Sequence, residues 1–266
     1  AVGPVLRLGG GDELAPVFCI HPMMGLAWPY FELGRHLESG RPLYGVQTPA
    51  VADPDFAPRS MADVVERYVE EIRRVDPVGP YHLVGWSVGG VLAHAVAARM
   101  ESQGRTVASL SLLDPVHSIV PGSAVKKAQA DAMFGAYRHL TDDLADMTPD
   151  ALWSVWSAMG GDQLPVSDIQ ARLITKAMLT LFALVDEHVP PTYSGAVLMI
   201  DSDVTAVELG RMSDFWSLYC TGPAEVVSVP WRHGELLSSD AVADVGPLVG
   251  RWLGRAETAS LLSTGE

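Results

Sequence analysis

Short apolar runs alternate with amphipathic stretches along most of this chain. The runs that read as strands are "PVFCI" at 16–20, "PLYGV" at 42–46, "YHLVGW" at 81–86, "VASLSLLD" at 107–114, "AVLMID" at 196–201 and "AEVVSV" at 224–229. Their continuous apolarity suits strands of a parallel sheet covered on both faces. Between them lie stretches of helical period, "WPYFELGRHLES", "SMADVVERYVEEIRRV" and "VGGVLAHAVAARMESQ". The second opens with Ser60 before an acidic first turn and closes on Arg73 and Arg74, charges that complement the helix dipole. Strand and helix in alternation predict an α/β fold built on a mostly parallel sheet with helices on both faces.

The alternation breaks once. Residues 118–190 contain no convincing strand and read as several helices, "SAVKKAQADAMFGAYRHL", "TPDALWSVWSAM" and "SDIQARLITKAMLTLFALVDEH", before the turn "PPTYSG". About 70 residues exceeds an ordinary crossover, so the segment is expected to be a helical insertion between two sheet strands. Its apolar residues, among them Met133, Phe134, Trp153, Trp156, Leu181 and Phe182, cannot all face solvent. Most are expected to pack on the sheet domain, and some to roof a site. The tail "RAETASLLSTGE" is polar and is expected to fray.

The chain of 266 residues is 48% hydrophobic, enough for one globular domain over 1–266 with a sizeable core. Its formal net charge of −14 leaves no basic stripe for a nucleic-acid backbone. Cys19 and Cys220 are far apart in sequence, Cys19 in an apolar run reads as a buried reduced thiol, and no Cys/His spacing points to a metal. The first residues lack the basic start and apolar core of a signal peptide, and no apolar run reaches the length of a membrane span. A cytoplasmic location is expected.

Candidate chemistry centres on "GWSVGG" at 85–90, where Ser87 lies between a strand and a helix at spacing G-x-S-x-G. A serine on such a turn is forced toward positive φ, and only small neighbours fit around it, hence Gly85 and Gly89. Gly90 lets the following helix pack close. A serine hydroxyl needs a base. Of the eight histidines, His82 falls in the strand before the serine, His94 in the helix after it, His117 just past a strand end, and His139 and His188 in the insertion. His233, in "VSVPWRHGELL", follows the last strand and precedes the last helix, where the order Ser…acid…His places the base. The base needs a carboxylate to fix its tautomer. Two positions compete: Asp114, ending "VASLSLLD", and the pair Asp201 and Asp203 at the end of "AVLMIDSD". Pro115 stops the strand at Asp114, which favours that residue. An oxyanion hole needs two backbone N–H groups. Val88, after the serine, supplies one. The other is expected from Met23 in "HPMMG" at 21–25, because Pro22 has no N–H.

With these residues assembled, the chain resembles the carboxy-terminal thioesterase domains of nonribosomal peptide synthetases. The likeness is carried, in order, by "PVFCIHPMMGLAWPYFELGRHL", "YHLVGWSVGGVLAHAVAARM", "LSLLDP" and "RHGELL", and spans about residues 5–255. "HPMMG" departs from the family, where small residues usually stand at the methionine positions. The resemblance implies an α/β-hydrolase fold with a helical lid at about 118–190, and an acid at Asp114. It implies a serine thioesterase that accepts a peptidyl or acyl chain on Ser87 from a phosphopantetheine thioester on an upstream carrier domain. Water or an internal amine or hydroxyl then releases the chain. No metal or diffusible cofactor is implied. The chain begins almost at its first strand, as a domain cut from a larger synthetase would. Lys126 and Lys127, in an otherwise acidic protein, are candidates for docking the carrier. A lid roofing the ester would exclude water and hold the chain folded back, an effect worth roughly 7–11 kcal/mol at its upper limit, so macrocyclisation is expected over hydrolysis. An ordinary esterase, a stand-alone editing thioesterase and a non-catalytic receptor are the competing readings. "HPMMGLAWPY" speaks against the first, "GWS" against the second and the complete serine, histidine and acid set against the third.

Overall fold

The protein is described here from a computed structural model, in which residues 3–37, 40–116, 150 and 167–263 are described. Seven strands form one sheet: β1 (Val5–Gly9), β2 (Val17–Ile20), β3 (Leu43–Val46), β4 (Tyr81–Trp86), β5 (Val107–Leu113), β6 (Val197–Ser202) and β7 (Ala224–Val229). Their spatial order is β1-β3-β2-β4-β5-β6-β7. Every pairing is parallel except that of β1 with β3. The six strands expected from apolar runs are all present. β1 was not expected: it is an antiparallel edge strand in which only Leu8 is buried, so it carries no continuous apolar run.

Period-two alternation sends the strand side chains into two cores. On one face Leu83, Leu110, Leu112, Val197 and Met199 pack against α1 (Met61–Val75), α2 (Val88–Ser102) and α3 (Asp168–Asp186). On the other, Val84, Leu113, Leu198 and Ile200 pack beneath the long C-terminal helix, through Val242, Val245 and Val249. In α1 the Ser60 hydroxyl accepts the Asp63 N–H, the cap its sequence predicts. α2 is buried on nearly every side. That follows from its place against β2, β4 and β5 at the centre of the sheet.

"WPYFELGRHLES" does not form the continuous helix its period predicts. It folds as two 3-10 turns, Trp28–Phe31 and Leu33–His36. Tyr30 and Leu33 are the buried residues, one from each turn. The last helix expected in the insertion is present as α3. Its capping box joins the Ser167 hydroxyl to the Gln170 N–H at 3.3 Å, and the Ser167 N–H to Gln170 Oε1 at 3.0 Å. Met133, Phe134, Trp153, Trp156, Lys126, Lys127, His117 and His139 lie outside the described residues.

After β6 come two short helices, α4 (Asp203–Leu209) and α5 (Met212–Trp216), and after β7 the C-terminal helix α6 (Ser239–Ser263). The parallel strands all end on one edge of the sheet. In an open α/β sheet that carboxyl edge is where ligands bind.

The glycines of the Ser87 turn are there for space. A Cβ on Gly85 would stand 2.1 Å from the Gly89 carbonyl oxygen, and one on Gly89 would stand 2.3 Å from the Ile20 carbonyl oxygen. These are backbone atoms of helix α2 and strand β2, packed together, and cannot move aside. Gly254, within α6, has nothing within 4 Å of its Cβ position. Gly89→Ala is therefore expected to lower stability by about 3 kcal/mol. Gly254→Ala should raise it by about 0.5–1 kcal/mol through helix propensity. Urea unfolding midpoints of the two variants against the parent check the sign of each.

Candidate active site

Three side chains from three loops meet at the carboxyl edge. Ser87 follows β4, with φ 59° and ψ −131°. This positive-φ geometry is costly for a side chain with a Cβ and is held by its surroundings. The Ser87 N–H donates to the Leu113 carbonyl at 3.1 Å, and its own carbonyl accepts the Gly90 N–H at 2.9 Å. Asp114 follows β5 and also has positive φ, 42°. Its N–H donates to the Ile200 carbonyl at 2.7 Å, which bends the chain end over β6. His233 follows β7 at the start of a 3-10 turn.

The Ser87 hydroxyl lies 2.9 Å from His233 Nε2, and His233 Nδ1 lies 2.8 Å from Asp114 Oδ2. A carboxylate can only accept, so Nδ1 carries the proton and Nε2 is left to accept from the serine. All three groups are buried, at 3%, 1% and 4% exposure for Ser87, Asp114 and His233. Burial in a low-dielectric pocket strengthens each bond and keeps bulk water from competing. Among the described residues no group of three or more His, Cys, Asp or Glu is placed to hold a metal ion, and no helix is long and apolar enough to cross a membrane.

The competing carboxylates have other partners. Asp201 accepts from the Ser213 N–H at 3.1 Å and the Ser213 hydroxyl at 2.5 Å. Burial raises its pKa above the ordinary aspartate value, against those two hydrogen bonds. Asp203 opens α4 and is half exposed, 3.3 Å from Arg211. Three of the other histidine candidates are among the described residues and lie elsewhere. His82 is buried, with Nδ1 2.8 Å from the Ser109 hydroxyl. His94 is buried with its ring 4.8 Å from that of Trp216. His188 is half-buried after the end of α3. Of the lid candidates, Leu181 lies inside the core cluster that covers the α1–α3 face, and Phe182 packs against that cluster, half-buried.

Sequence reasoning missed the groups that hold the three in place. Asp114 Oδ1 accepts the Ser202 N–H at 3.3 Å. The Ser202 hydroxyl donates to the Trp231 carbonyl at 2.6 Å, and Thr205 Oγ1 accepts the His233 N–H at 3.2 Å. The Trp86 indole N–H donates to the His233 carbonyl at 3.0 Å. Tyr30 bridges two strand ends, donating to the Ile20 carbonyl at 2.8 Å and accepting the Trp86 N–H at 2.7 Å. Ser202 and Thr205 gave no motif, but Trp86, beside the serine, was a signal available in "GWS".

Comparison with known proteins agrees with this architecture. The model of the thioesterase domain family matches residues 15–244. The chain belongs to the thioesterase domain family. Its relatives are nonribosomal peptide synthetases, and it is a domain of that type. It is 32% identical over 238 residues to malpibaldin synthetase of Mortierella alpina, and 27% identical over 259 residues to a dimodular nonribosomal peptide synthase of Bacillus subtilis (strain 168). Those matches cover 88% and 94% of this chain but 4% and 11% of the two relatives, so the chain spans a small part of their length. Among solved structures, the NocB thioesterase domain in covalent complex with a fluorophosphonate nocardicin G analogue superposes with a TM-score of 0.67 at 23% identity, covering 94% of this chain and 100% of that one. The Vlm2 thioesterase domain bound with a dodecadepsipeptide gives 0.69 at 18% identity, covering 93% and 96%. Both share the α/β-hydrolase fold of this thioesterase domain.

The buried His82 has a consequence for acid stability. Burial foremost, then the nearby Arg41 charge, lowers its pKa from 6.5 to about 4. Between those values the unfolded chain binds a proton that the folded thioesterase does not. The contribution is therefore present above pH 6.5 and lost as pH falls toward 4. Urea midpoints measured between about pH 7 and 4 should fall less steeply in His82→Asn than in the parent.

Proposed function

We propose that this domain accepts a peptidyl or acyl chain from a carrier-bound phosphopantetheine thioester onto Ser87 and releases it from the synthetase. The observation that carries the reading is the buried line of hydrogen bonds from Ser87 through His233 to Asp114, in a chain of the thioesterase family. As the serine oxygen attacks the thioester carbonyl, His233 Nε2 takes its proton, and Asp114 stabilises the imidazolium through Nδ1–H. The carbonyl oxygen becomes an oxyanion, with the Val88 and Met23 N–H groups as its proposed donors. The tetrahedral centre collapses, the phosphopantetheine sulfur leaves and His233 returns the proton to it. An ester on Ser87 remains. A second nucleophile then repeats the cycle, giving up its proton to His233 while Ser87 recovers its own. An internal amine or hydroxyl gives a ring, and water gives the free acid.

Ring closure is the release we propose. It is supported by the expected roof of the insertion over the ester, and Vlm2, of the same fold, has been captured with a dodecadepsipeptide. The partner proposed is an upstream carrier domain, supported by the multidomain synthetases among the relatives. Lys126 and Lys127 are its proposed contacts. This serine chemistry calls on no diffusible cofactor.

The test is a full-length linear peptidyl thioester mimic, with products and intact protein weighed by mass spectrometry. The parent should carry a transient acyl group on Ser87 and give a product one water lighter than the linear acid. Purely linear acid would reject ring closure, and an acyl group on another residue would reject the whole reading. Ser87→Ala should lose on the order of 10⁴-fold or more in turnover. Asp114→Asn should lose about 10³–10⁴-fold through the wrong histidine tautomer, and Asp203→Asn less than about tenfold. The reverse order of the two aspartates would move the acid to the end of β6.

A further inference from the structure

The loop after β2 contains a buried histidine that the chemistry above does not use. His21 is fully buried, and both ring nitrogens are engaged. Nδ1 lies 2.7 Å from the carbonyl oxygen of Pro22, the next residue, and Nε2 lies 2.6 Å from the hydroxyl of Tyr68, on α1. A carbonyl can only accept, so the proton is on Nδ1, and Nε2 accepts from the Tyr68 hydroxyl. Burial pushes the His21 pKa down to about 4, which keeps the ring neutral at neutral pH. The same Pro22 carbonyl also accepts the Gly25 N–H at 3.1 Å. It is thus gripped from two directions, once by a side chain anchored in the core and once by the backbone of its own turn.

The peptide that follows this carbonyl is Pro22–Met23. It is trans, since the cis bond among the described residues is Gly79–Pro80. In a planar trans peptide, C=O and N–H point in opposite directions. Fixing the Pro22 carbonyl toward His21 therefore fixes the Met23 N–H away from it. The loop also lies directly on the serine turn: a Cβ on Gly89 would stand 2.7 Å from the His21 carbonyl oxygen as well as 2.3 Å from that of Ile20. Val88, the other donor, is the residue before Gly89. Among the described residues the Met23 N–H donates to no backbone carbonyl.

From this geometry we infer that His21 is a positioning residue for the reaction: by holding the Pro22 carbonyl it orients the Pro22–Met23 peptide so that the Met23 N–H faces the oxyanion formed on Ser87. Tyr68 holds the ring in that orientation from its other nitrogen. His21 touches no reacting atom, and the inference rests on the acyl-transfer role of Ser87 proposed above. A peptide free to rotate would present its carbonyl oxygen to the oxyanion instead, and repulsion would replace a hydrogen bond. The effect belongs to the transition state, where the oxyanion exists, and not to substrate binding.

The experiment compares His21→Leu, His21→Asn, Tyr68→Phe and the parent, each checked for folding by circular dichroism. Turnover is measured with an acyl N-acetylcysteamine thioester. Affinity is measured for an alkylboronic acid, which forms a tetrahedral anion on the serine. His21→Leu should lose about 10²–10³-fold in kcat, the cost of one oxyanion donor, with KM changed less than about threefold. Its boronate affinity should fall in parallel. His21→Asn, whose side-chain N–H can again reach the Pro22 carbonyl, should regain at least about tenfold of both. Tyr68→Phe should lose about tenfold in kcat and in boronate affinity with KM held. Unchanged kcat or boronate affinity in folded His21→Leu, or equal losses in the Leu and Asn variants, would overturn the inference. If His21→Leu does not fold, unchanged kcat in Tyr68→Phe overturns it. Ser87→Ala is run alongside: retained activity or retained boronate binding there defeats the reading of Ser87, separately from any result at His21.

Discussion

Ser87 sits at φ 59° and ψ −131°, a backbone conformation that costs on the order of 1–3 kcal/mol, and the sheet around it is arranged to hold it there. As the proposed nucleophile, Ser87 must stand clear of β4 yet stay at the start of α2. Its N–H is taken by the Leu113 carbonyl of the neighbouring strand, and the following helix is clamped onto the sheet at Gly85, Gly89 and Gly90. At Gly90 a Cβ would stand 2.5 Å from that of Pro115, so the turn after β5 packs on the first turn of α2. The strain at one residue is thus held by contacts with β2, β5 and the end of β5. Those are the same elements that carry the His21–Gly25 loop and Asp114, so the constraint at Ser87 also fixes the groups around it.

The proposed base is held differently. His233 lies in a loop, and loops do not position side chains by ladder hydrogen bonds. Here the end of β6 does that work: Ser202 bonds the Asp114 carboxylate through its N–H and the Trp231 carbonyl through its hydroxyl, while Thr205 accepts the His233 N–H. Trp86 adds a bond to the His233 carbonyl from the serine side. The loop carrying the base is thereby tied to two strand ends on either side of β5. Motion of His233 relative to Ser87 would have to break several bonds at once, and 2.9 Å separates Nε2 from the hydroxyl.

The fold was legible in the sequence wherever burial was complete on both faces, because such strands appear as unbroken apolar runs. The half-exposed β1 gave no such run and escaped notice, and "WPYFELGRHLES" carried a helical period but folds as two 3-10 turns, each burying one residue, Tyr30 and Leu33. Ser87, Asp114 and His233 were legible because a serine between glycines, an aspartate before a proline and a histidine after the last strand each leave a local mark. Ser202, Thr205 and Tyr68 leave none. Their roles come from which strand end or helix lies beside which, and that is set by sheet order rather than by neighbouring residues. His21 was visible in "HPMMG" but unreadable, since its significance depends on Tyr68, which is 47 residues away.

The insertion's last helix is not a separate cover laid over this apparatus. A Cβ on Gly25 would stand 3.1 Å from Ile174 Cγ2 and 3.1 Å from Met178 Sδ, and Gln170 Nε2 donates to the Val51 carbonyl at 3.2 Å. α3 therefore rests on the loop that contains Met23, and through Gln170 on the segment after β3. An insertion exchanged between relatives would carry with it one half of this seam. A chimera would have to match Ile174, Met178 and Gln170 to the receiving loop at Gly25 and Val51, so the unit of exchange is the insertion together with the two loops beneath it.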